Sequence, residues 1–303
     1  MGTRNFGRTG MKVSTLGLGG NDLNRCSEQQ VDNLIGQALD LGFNVLDTAE
    51  CYKESEERIG RALHFRREDC YVFTKCGHAD DFDLPAWSPQ LLEASIERSL
   101  RRLRTDHLDM VFLHSCSLQL LQQGDLIACL KRIQEAGKVR FIGYSGDREA
   151  ARFAIKCGAF DALELSLNIA DQEAIDQLIP LAQEREMGVV AKRSLANNAW
   201  KSDNIVLPEP TRIYQERLQK LNYDFLQNDD ATTTALRFVT STPGIHTAIV
   251  GTINKDHLRQ NVSSINAGPL PQEQYAAIRA RWKKRTWWRK VLPGGRLGWR
   301  GWV

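Results

Sequence analysis

The sequence lacks long apolar runs and paired cysteines. No run approaches the roughly 20 residues that a membrane-spanning helix needs, and the first residues, MGTRNFGRTG, contain no apolar signal-peptide core. The seven cysteines include no Cys-x-x-Cys pair, and their number is odd. We therefore predict free thiols in a reducing compartment, a cytoplasmic location, and no metal site, because no cysteine or histidine pair has ligand spacing.

Bulk composition is that of a globular enzyme rather than of a disordered chain. The 303 residues are 42% hydrophobic and 25% charged, with a formal net charge of +3. This length accommodates one large α/β barrel or two ordinary domains. The charge is uneven, because residues 281–303 contain eight Lys or Arg and no acid; subtracting +8 from +3 leaves about −5 on residues 1–280.

This basic C-terminal segment is also rich in tryptophan. Basic, aromatic segments can bind membrane surfaces or nucleic acid. Trp rings and Arg stems can equally cover apolar surface of an acidic domain in the same chain. We predict docking onto the chain's own domain, with weak attachment to a membrane surface or a protein as the alternative and no nucleic-acid partner. Five of the seven tryptophans lie here: Trp282, Trp287, Trp288, Trp299 and Trp302.

Short β-prone runs alternate with amphipathic helical patterns along most of the chain. A Gly-Arg-Thr-Gly turn within residues 4–14 predicts a β-hairpin before them, and Ser27 followed by Gln30 predicts a capped helix start. Right-handed parallel crossovers build either an open doubly wound sheet or a closed barrel. Eight units in about 265 residues fit the barrel. We predict an α/β fold, a (β/α)₈ TIM barrel over residues 1–280, followed by the tail at 281–303.

Three successive apolar strands are predicted to end in polar residues. These are Asp47, Lys75 and His114, and Tyr52 lies in the loop after the first strand. Taken singly, such residues are commonly a helix cap, a solvated charge, a structural histidine and a packing tyrosine. Strand ends of a barrel gather on one face, where catalysis takes place. The co-occurrence of four chemically matched residues therefore predicts one proton-donating site.

The four residues suit the reduction of a carbonyl group. A phenol with a pKa of about 10 is a poor proton donor at neutral pH. We expect the Lys75 ammonium to lower the pKa of Tyr52, Asp47 to hold Lys75, and His114 to hydrogen-bond the carbonyl oxygen. None of these groups supplies hydride, so a nicotinamide cofactor is implied.

Over residues 4–265 the chain resembles the aldo-keto reductases. The matching stretches are RNFGRTGMKVSTLGLG, DTAECY with SEERIG, FTK, FLHS, GKVRFIGYS, ELSLN and AIVGTINKDHLRQN. The resemblance implies a (β/α)₈ barrel without a Rossmann fold, which agrees with the lack of a G-x-G-x-x-G fingerprint. It also implies NAD(P)H-dependent interconversion of carbonyl and alcohol. By motif position, Asp47, Tyr52, Lys75 and His114 take the family's catalytic places, with Tyr52 as general acid.

The resemblance also implies cofactor contacts, with several departures from the family pattern. Ser145 matches the serine that holds the nicotinamide amide, whereas Glu164 replaces a glutamine and Lys192 replaces a stacking aromatic. The Arg193 guanidinium can take part of the stacking role. Gly251 and His257 stand where a lysine and an arginine often grip the 2′-phosphate. Together, the cofactor-binding candidates are Gly20, Ser145, Glu164, Lys192, Arg193, Gly251, Thr252, Asn254, His257 and Asn261.

A helix N-terminus after Thr252 is expected to bind phosphate, and we predict NADPH, with NADH as the alternative. Trp87, Cys116, Asn198 and Trp200 follow strand ends and are the substrate-pocket candidates. The leading prediction is a monomeric or small homo-oligomeric reductase of an aldehyde or ketone. The alternatives are a cofactor-binding regulatory subunit on a reductase scaffold and an aldolase that uses Lys75 as a Schiff base.

Overall fold

The computed structural model describes residues 1–201, 207–228 and 230–284. The chain begins with a two-stranded antiparallel hairpin, β1 (Thr3–Asn5) and β2 (Lys12–Ser14). Between the strands, Gly10 has φ of 76°, a left-handed conformation that glycine adopts readily. The predicted hairpin is therefore confirmed.

Eight parallel strands then close into a barrel in which each strand pairs with its neighbours in sequence and the last pairs with the first. This confirms the predicted (β/α)₈ architecture. The strands are β3 (Leu16–Gly19), β4 (Val45–Asp47), β5 (Tyr71–Cys76), β6 (Leu108–His114), β7 (Val139–Ser145), β8 (Ala162–Ser166), β9 (Gly188–Lys192) and β10 (Thr247–Gly251).

Helices follow the strands and cover the outside of the barrel. The capping box at Ser27 is present, with the Ser27 side chain accepting from the Gln30 backbone and the Gln30 side chain accepting from the Ser27 backbone. In the described ranges the helices are α1 (Glu28–Asp40), α2 (Ser55–Ala62), α3 (Pro89–Leu103), α4 (Leu118–Gln123), α5 (Asp125–Glu135), α6 (Arg148–Lys156), α7 (Glu173–Gln177), α8 (Ile179–Glu184), α9 (Thr211–Leu221), α10 (Ala231–Thr240), α11 (Lys255–Asn266) and α12 (Gln272–Lys284).

One predicted helix is divided in the structure. The sequence pattern predicts a single helix over residues 171–185, but α7 ends at Gln177 and α8 begins at Ile179. Pro180 lies in the first turn of α8, where its missing N–H group costs nothing. A continuous helix would need that N–H group as a donor, so the chain restarts instead.

Apolar side chains form two layers. An inner cluster fills the barrel, and the hairpin contributes Phe6, Met11 and Val13 to it. The larger cluster lies between the strands and the helices. With the hairpin and its connecting turn packed into the barrel interior, the strand carboxyl ends are left to form the other, open rim.

The last helix, α12, extends across the predicted boundary at residue 280. Trp282 is only 2% exposed and belongs to the outer apolar cluster. Arg279 forms two hydrogen bonds of 2.7 Å with the Asp176 carboxylate. Residues 285–303, with the other four tail tryptophans, lie outside the described residues, so docking of the tail stays a prediction. In the described ranges, no helix has the length and apolarity to cross a membrane.

Candidate active site

The barrel brings the four predicted proton-transfer residues to one rim. Asp47 is the last residue of β4 and His114 the last of β6, while Lys75 lies at the end of β5 between them. Tyr52 follows β4 in the next loop. Because β4, β5 and β6 are adjacent and parallel, side chains 28 and 39 residues apart in sequence become neighbours.

Lys75 is buried between two carboxylates. Its Nζ atom donates to both Asp47 oxygens at 2.7 Å and to the Thr48 carbonyl at 3.0 Å. The same atom lies 3.3 Å from Glu164 Oε2 in an ion pair. Burial alone would lower the pKa of Lys75, but the two carboxylates outweigh burial and raise it. Lys75 is therefore an ammonium at any working pH.

Two buried carboxylates share this one ammonium. Burial raises the pKa of Asp47 to about 7, with Glu164 adding to the effect and Lys75 opposing it. Oε2 of Glu164 is buried and, among the described residues, makes no hydrogen bond beside its ion pair. The charge of Glu164, which stands where the resemblance implies a glutamine, is thus compensated by Lys75, and its Oε2 atom accepts no hydrogen bond among the described residues.

The Tyr52 ring packs against both Lys75 and His114. Lys75 Nζ lies 5.7 Å from the centre of the Tyr52 ring. The His114 ring meets it edge-on, with centroids 5.8 Å apart. Burial raises the pKa of Tyr52 to about 12; Lys75 lowers it, but Asp47 and Glu164 raise it further. Lys75 therefore acts on the pKa of Tyr52 in the expected direction, but burial, with the two carboxylates adding to it, outweighs that effect and the net shift is upward.

His114 is a neutral imidazole. Burial and the nearby cation of Lys75 lower the pKa of His114 to about 2. Its Nδ1 atom lies 3.5 Å from Cys51 Sγ. Burial and Asp80 raise the pKa of Cys51 to about 11, so Cys51 is a thiol that can donate to Nδ1. This contact favours the tautomer in which the opposite nitrogen, Nε2, carries the proton.

The predicted nicotinamide side contains a second lysine, the half-buried Lys192. Lys192 Nζ donates to Ser145 Oγ at 2.8 Å, so the hydroxyl expected to hold an amide is hydrogen-bonded within the protein. Burial lowers the pKa of Lys192, and Glu164 opposes this effect. Arg193 has a positive φ of 55° and donates to Ser166 Oγ at 2.9 Å. Ser145 and Lys192 end the two strands that flank β8, the strand that carries Glu164.

The predicted phosphate region is the exposed start of α11. Asn254 caps the helix, since its side chain accepts from the Asp256 backbone at 2.9 Å. Thr252 Oγ1 accepts from the Asn254 backbone and lies 3.2 Å from His257 Nδ1. Gly251 is exposed, whereas Asn261 is 5% exposed. The remaining first-turn N–H groups of α11 and the dipole leave this end suited to an anion.

Gly20 has a structural reason to be glycine. Its N–H group donates to the Asp47 carbonyl at 2.7 Å, which ties the end of β3 to the end of β4. A Cβ atom on Gly20 would lie 2.6 Å from Ser55 Oγ. Close packing under Asp47 therefore accounts for this glycine without a cofactor contact.

The predicted substrate residues have different surroundings. Trp87 is half-buried and lies edge-on to His78 beside the rim, with ring centroids 5.4 Å apart. Trp200 is half-buried too, and its Nε1 has no hydrogen bond among the described residues. Asn198 has a positive φ of 55°. Cys116 is only 2% exposed and packs in the outer core, so its surroundings do not support a substrate contact.

A cavity of about 440 Å³ opens beside this rim, and apart from Arg193 its lining was not predicted from the sequence. Sequence spacing gives no signal for it, because the lining comes from the loops after β6 to β9 and from α9. Three of its residues, Ser115, Arg148 and Arg193, have positive φ values. The lining also includes Asp147, Ser166 and Tyr214.

The sequence profile of the Aldo/keto reductase family matches residues 15–283. The chain belongs to the aldo-keto reductase family. This family generally uses NAD(P)H as its cofactor. Membership confirms the resemblance drawn from the motifs and identifies the protein as an oxidoreductase.

Individual relatives agree with this assignment. The uncharacterized oxidoreductase YqkF of Bacillus subtilis is 24% identical, with 94% of this chain and 97% of YqkF aligned. L-galactose dehydrogenase of Arabidopsis thaliana is 34% identical over 47% of this chain and 48% of its own length. The holo form of the aldo-keto reductase AKR11C1 from Bacillus halodurans superposes with a TM-score of 0.80, at 26% identity, over 93% of this chain and 96% of that chain.

Proposed function

We propose that this aldo-keto reductase reduces an aldehyde or ketone to an alcohol with NADPH, and that Tyr52 donates the proton. The observation that carries the proposal is the Lys75 ammonium, which lies between Asp47 and Glu164 and 5.7 Å from the Tyr52 ring centre, with neutral His114 against the same ring. On this proposal, the phenol O–H of Tyr52 and the imidazole N–H of His114 act on one oxygen atom, that of the substrate carbonyl.

The residues at the rim fit a nicotinamide cofactor. Among the described residues, Glu164 Oε2 is buried and accepts no hydrogen bond, although the Lys75 ammonium lies 3.3 Å away in an ion pair. A carboxamide N–H₂ group would donate to it. Ser145, Lys192 and Arg193 lie on the same side of the rim. The start of α11, with Thr252 and Lys255, would hold phosphate, and its positive charge favours NADPH over NADH. When bound, the cofactor supplies the hydride.

The protein's own residues would orient the carbonyl group and deliver the proton. His114 donates Nε2–H to the carbonyl oxygen, because Cys51 holds its other nitrogen. The alkoxide that forms is a far stronger base than a phenolate, so Tyr52 can protonate it even with a pKa of about 12. The Lys75 ammonium then stabilises the phenolate, while Asp47 keeps Lys75 in position.

Conservative tyrosine substitutions test this assignment. Tyr52→Phe removes only the phenol oxygen, and Tyr71→Phe is the matched control because Tyr71 begins β5 at the opposite end of the barrel. NADPH binding is followed by fluorescence and its oxidation is measured with a panel of aldehydes. We expect Tyr52→Phe to bind NADPH normally but to lose at least about 10² in rate, the usual scale for a general acid. Tyr71→Phe should be unchanged.

A second candidate is a cofactor-binding subunit with little turnover. The hydrogen bond from Lys192 to Ser145 favours this candidate, because it engages the hydroxyl group that was expected to bind the nicotinamide amide. Tight NADPH binding by the wild type without oxidation by any aldehyde would support this candidate against the reductase. Full activity of Tyr52→Phe would contradict the proposed role of Tyr52. The cytoplasmic location and the monomeric or small homo-oligomeric state stay predictions.

A further inference from the structure

A cluster of three metal-ligand side chains lies beside the proton-transfer residues. Cys51 comes from the loop after β4, and His78 and Asp80 come from the loop after β5. One ligand atom from each residue lies within 4.8 Å of the others. The three are far apart or irregularly spaced in sequence, which is why ligand spacing alone predicts no metal site.

The cluster needs only small movements to bind zinc. Zinc bonds of about 2.3 Å to sulfur and about 2.0–2.2 Å to nitrogen or oxygen, at tetrahedral angles, put ligand atoms about 3.4–3.6 Å apart. The ligand atoms of the cluster lie up to 4.8 Å apart, so the widest pair must approach by about 1.2 Å to bind zinc. Asp80 is exposed and Cys51 is half-buried, so rotation of these two side chains can close this gap while His78 stays in place.

A second observation is the orientation of His78. Its Nε2 atom lies 3.0 Å from the His114 carbonyl oxygen, which can only accept, so Nε2 carries the proton. Nδ1 then has its lone pair free for a metal ion. Metal-binding histidines usually donate their second ring nitrogen to a carbonyl or carboxylate in this way. The Trp87 ring lies edge-on to His78 and limits its rotation.

We propose that Cys51, His78 and Asp80 bind Zn²⁺ and that the bound ion inhibits carbonyl reduction. On binding, the Cys51 S–H proton is released to solvent as the sulfur–zinc bond forms, with no change of oxidation state. The three protein ligands leave one coordination position for water. Metal binding by the cluster is independent of the proposed reductase function, whereas inhibition rests on it.

Inhibition follows from the position of the cluster. Cys51 Sγ lies 3.5 Å from His114 Nδ1, so a thiolate bound to zinc no longer donates to that nitrogen. The His78 and His114 rings have centroids 4.7 Å apart. A cation here occupies space next to His114 and removes the contact that favours its Nε2–H tautomer. Both effects oppose hydrogen bonding to a carbonyl oxygen.

Binding is tested with Co²⁺ as a spectroscopic substitute for Zn²⁺, on the full chain without a histidine tag. Thiolate ligation gives a charge-transfer band that water or carboxylate ligands do not give. We expect this band in the wild type, its loss in Cys51→Ser, and at least tenfold weaker binding in Asp80→Asn. The matched controls, Cys157→Ser and Asp81→Asn, change an exposed cysteine and the adjacent exposed aspartate, and should bind as the wild type does.

A wild type without the band, or Cys51→Ser with the band intact, would overturn the metal site. If Cys51→Ser is misfolded by circular dichroism, Asp80→Asn decides, because its side chain is exposed and unchanged binding would count against the site. Inhibition is measured as NADPH oxidation with added Zn²⁺, reversed by EDTA. Uninhibited turnover with the cobalt band present refutes inhibition. A protein without turnover refutes the reductase, while the cobalt measurement still decides the site.

Discussion

Replacing Lys75 by methionine should be the most damaging neutral substitution at this rim. Methionine has nearly the same length, so the change removes the ammonium with little change in packing. Asp47 and Glu164, 5% and 2% exposed, would lose the cation that lies 2.7 and 3.3 Å from their oxygens. Removing one partner of a buried ion pair costs about 3–5 kcal/mol of unfolding free energy.

The loss should depend on pH in a definite direction. The folded-state pKa of Asp47, about 7, is above its unfolded value of about 3.9. Its contribution to stability is therefore fully present below pH 4 and is lost as the pH rises through about 7. Without Lys75, the pKa of Asp47 in the folded state rises further. The difference between wild type and Lys75→Met should be large at pH 8 and small at pH 5.

The measurement is urea unfolding followed by circular dichroism at both pH values. Lys12→Met is the matched control, because Lys12 is an exposed residue of β2, and it should change stability by less than about 0.5 kcal/mol. Equal losses at pH 5 and pH 8, or a loss no larger than that of Lys12→Met, would refute the argument from buried charge. Lys75→Met should also reduce aldehydes more slowly. Among the main influences on the pKa of Tyr52, the Lys75 ammonium is the one that lowers it, and the variant removes that cation.

Two further predictions concern stability away from the rim. In α2, a Cβ on Gly60 would collide with the backbone at the end of α3, so Gly60→Ala should cost about 1–3 kcal/mol. A Cβ on Gly36 in α1 would have no atom within 4 Å, so Gly36→Ala should stabilise the protein by up to about 1 kcal/mol. Thermal melting compares the two alanine variants, and equal effects on stability would contradict the packing explanation. Arg279→Met breaks the pair with Asp176 and should cost about 1.5–3 kcal/mol in the same assay. The exposed Lys284→Met should be neutral, and an equally neutral Arg279→Met would show that the ion pair with Asp176 does not stabilise the attachment of α12.

Local pattern determined the elements and most of their ends. Alternating apolar runs placed the barrel strands, and Ser27 with Gln30 marked the start of α1. These predictions succeed because backbone hydrogen bonding and side-chain periodicity act over a few residues. Pro180 shows the limit of periodicity. An apolar pattern continues across residues 171–185, but one missing N–H group separates α7 from α8.

The sequence by itself determined which residue types end each barrel strand. It also indicated which strand ends are neighbours, because successive strands of such a barrel lie side by side. Tertiary structure alone decided their charges and partners. Burial and the two carboxylates raise the pKa of Tyr52, although its neighbour is a lysine. Likewise, Glu164 lies beside Lys75 because the barrel brings β8 opposite β5, and Cys51 lies beside His78 and Asp80 because β4 and β5 are adjacent strands. Distance and desolvation between residues far apart in the chain are properties of the packed molecule, and a sequence pattern does not contain them.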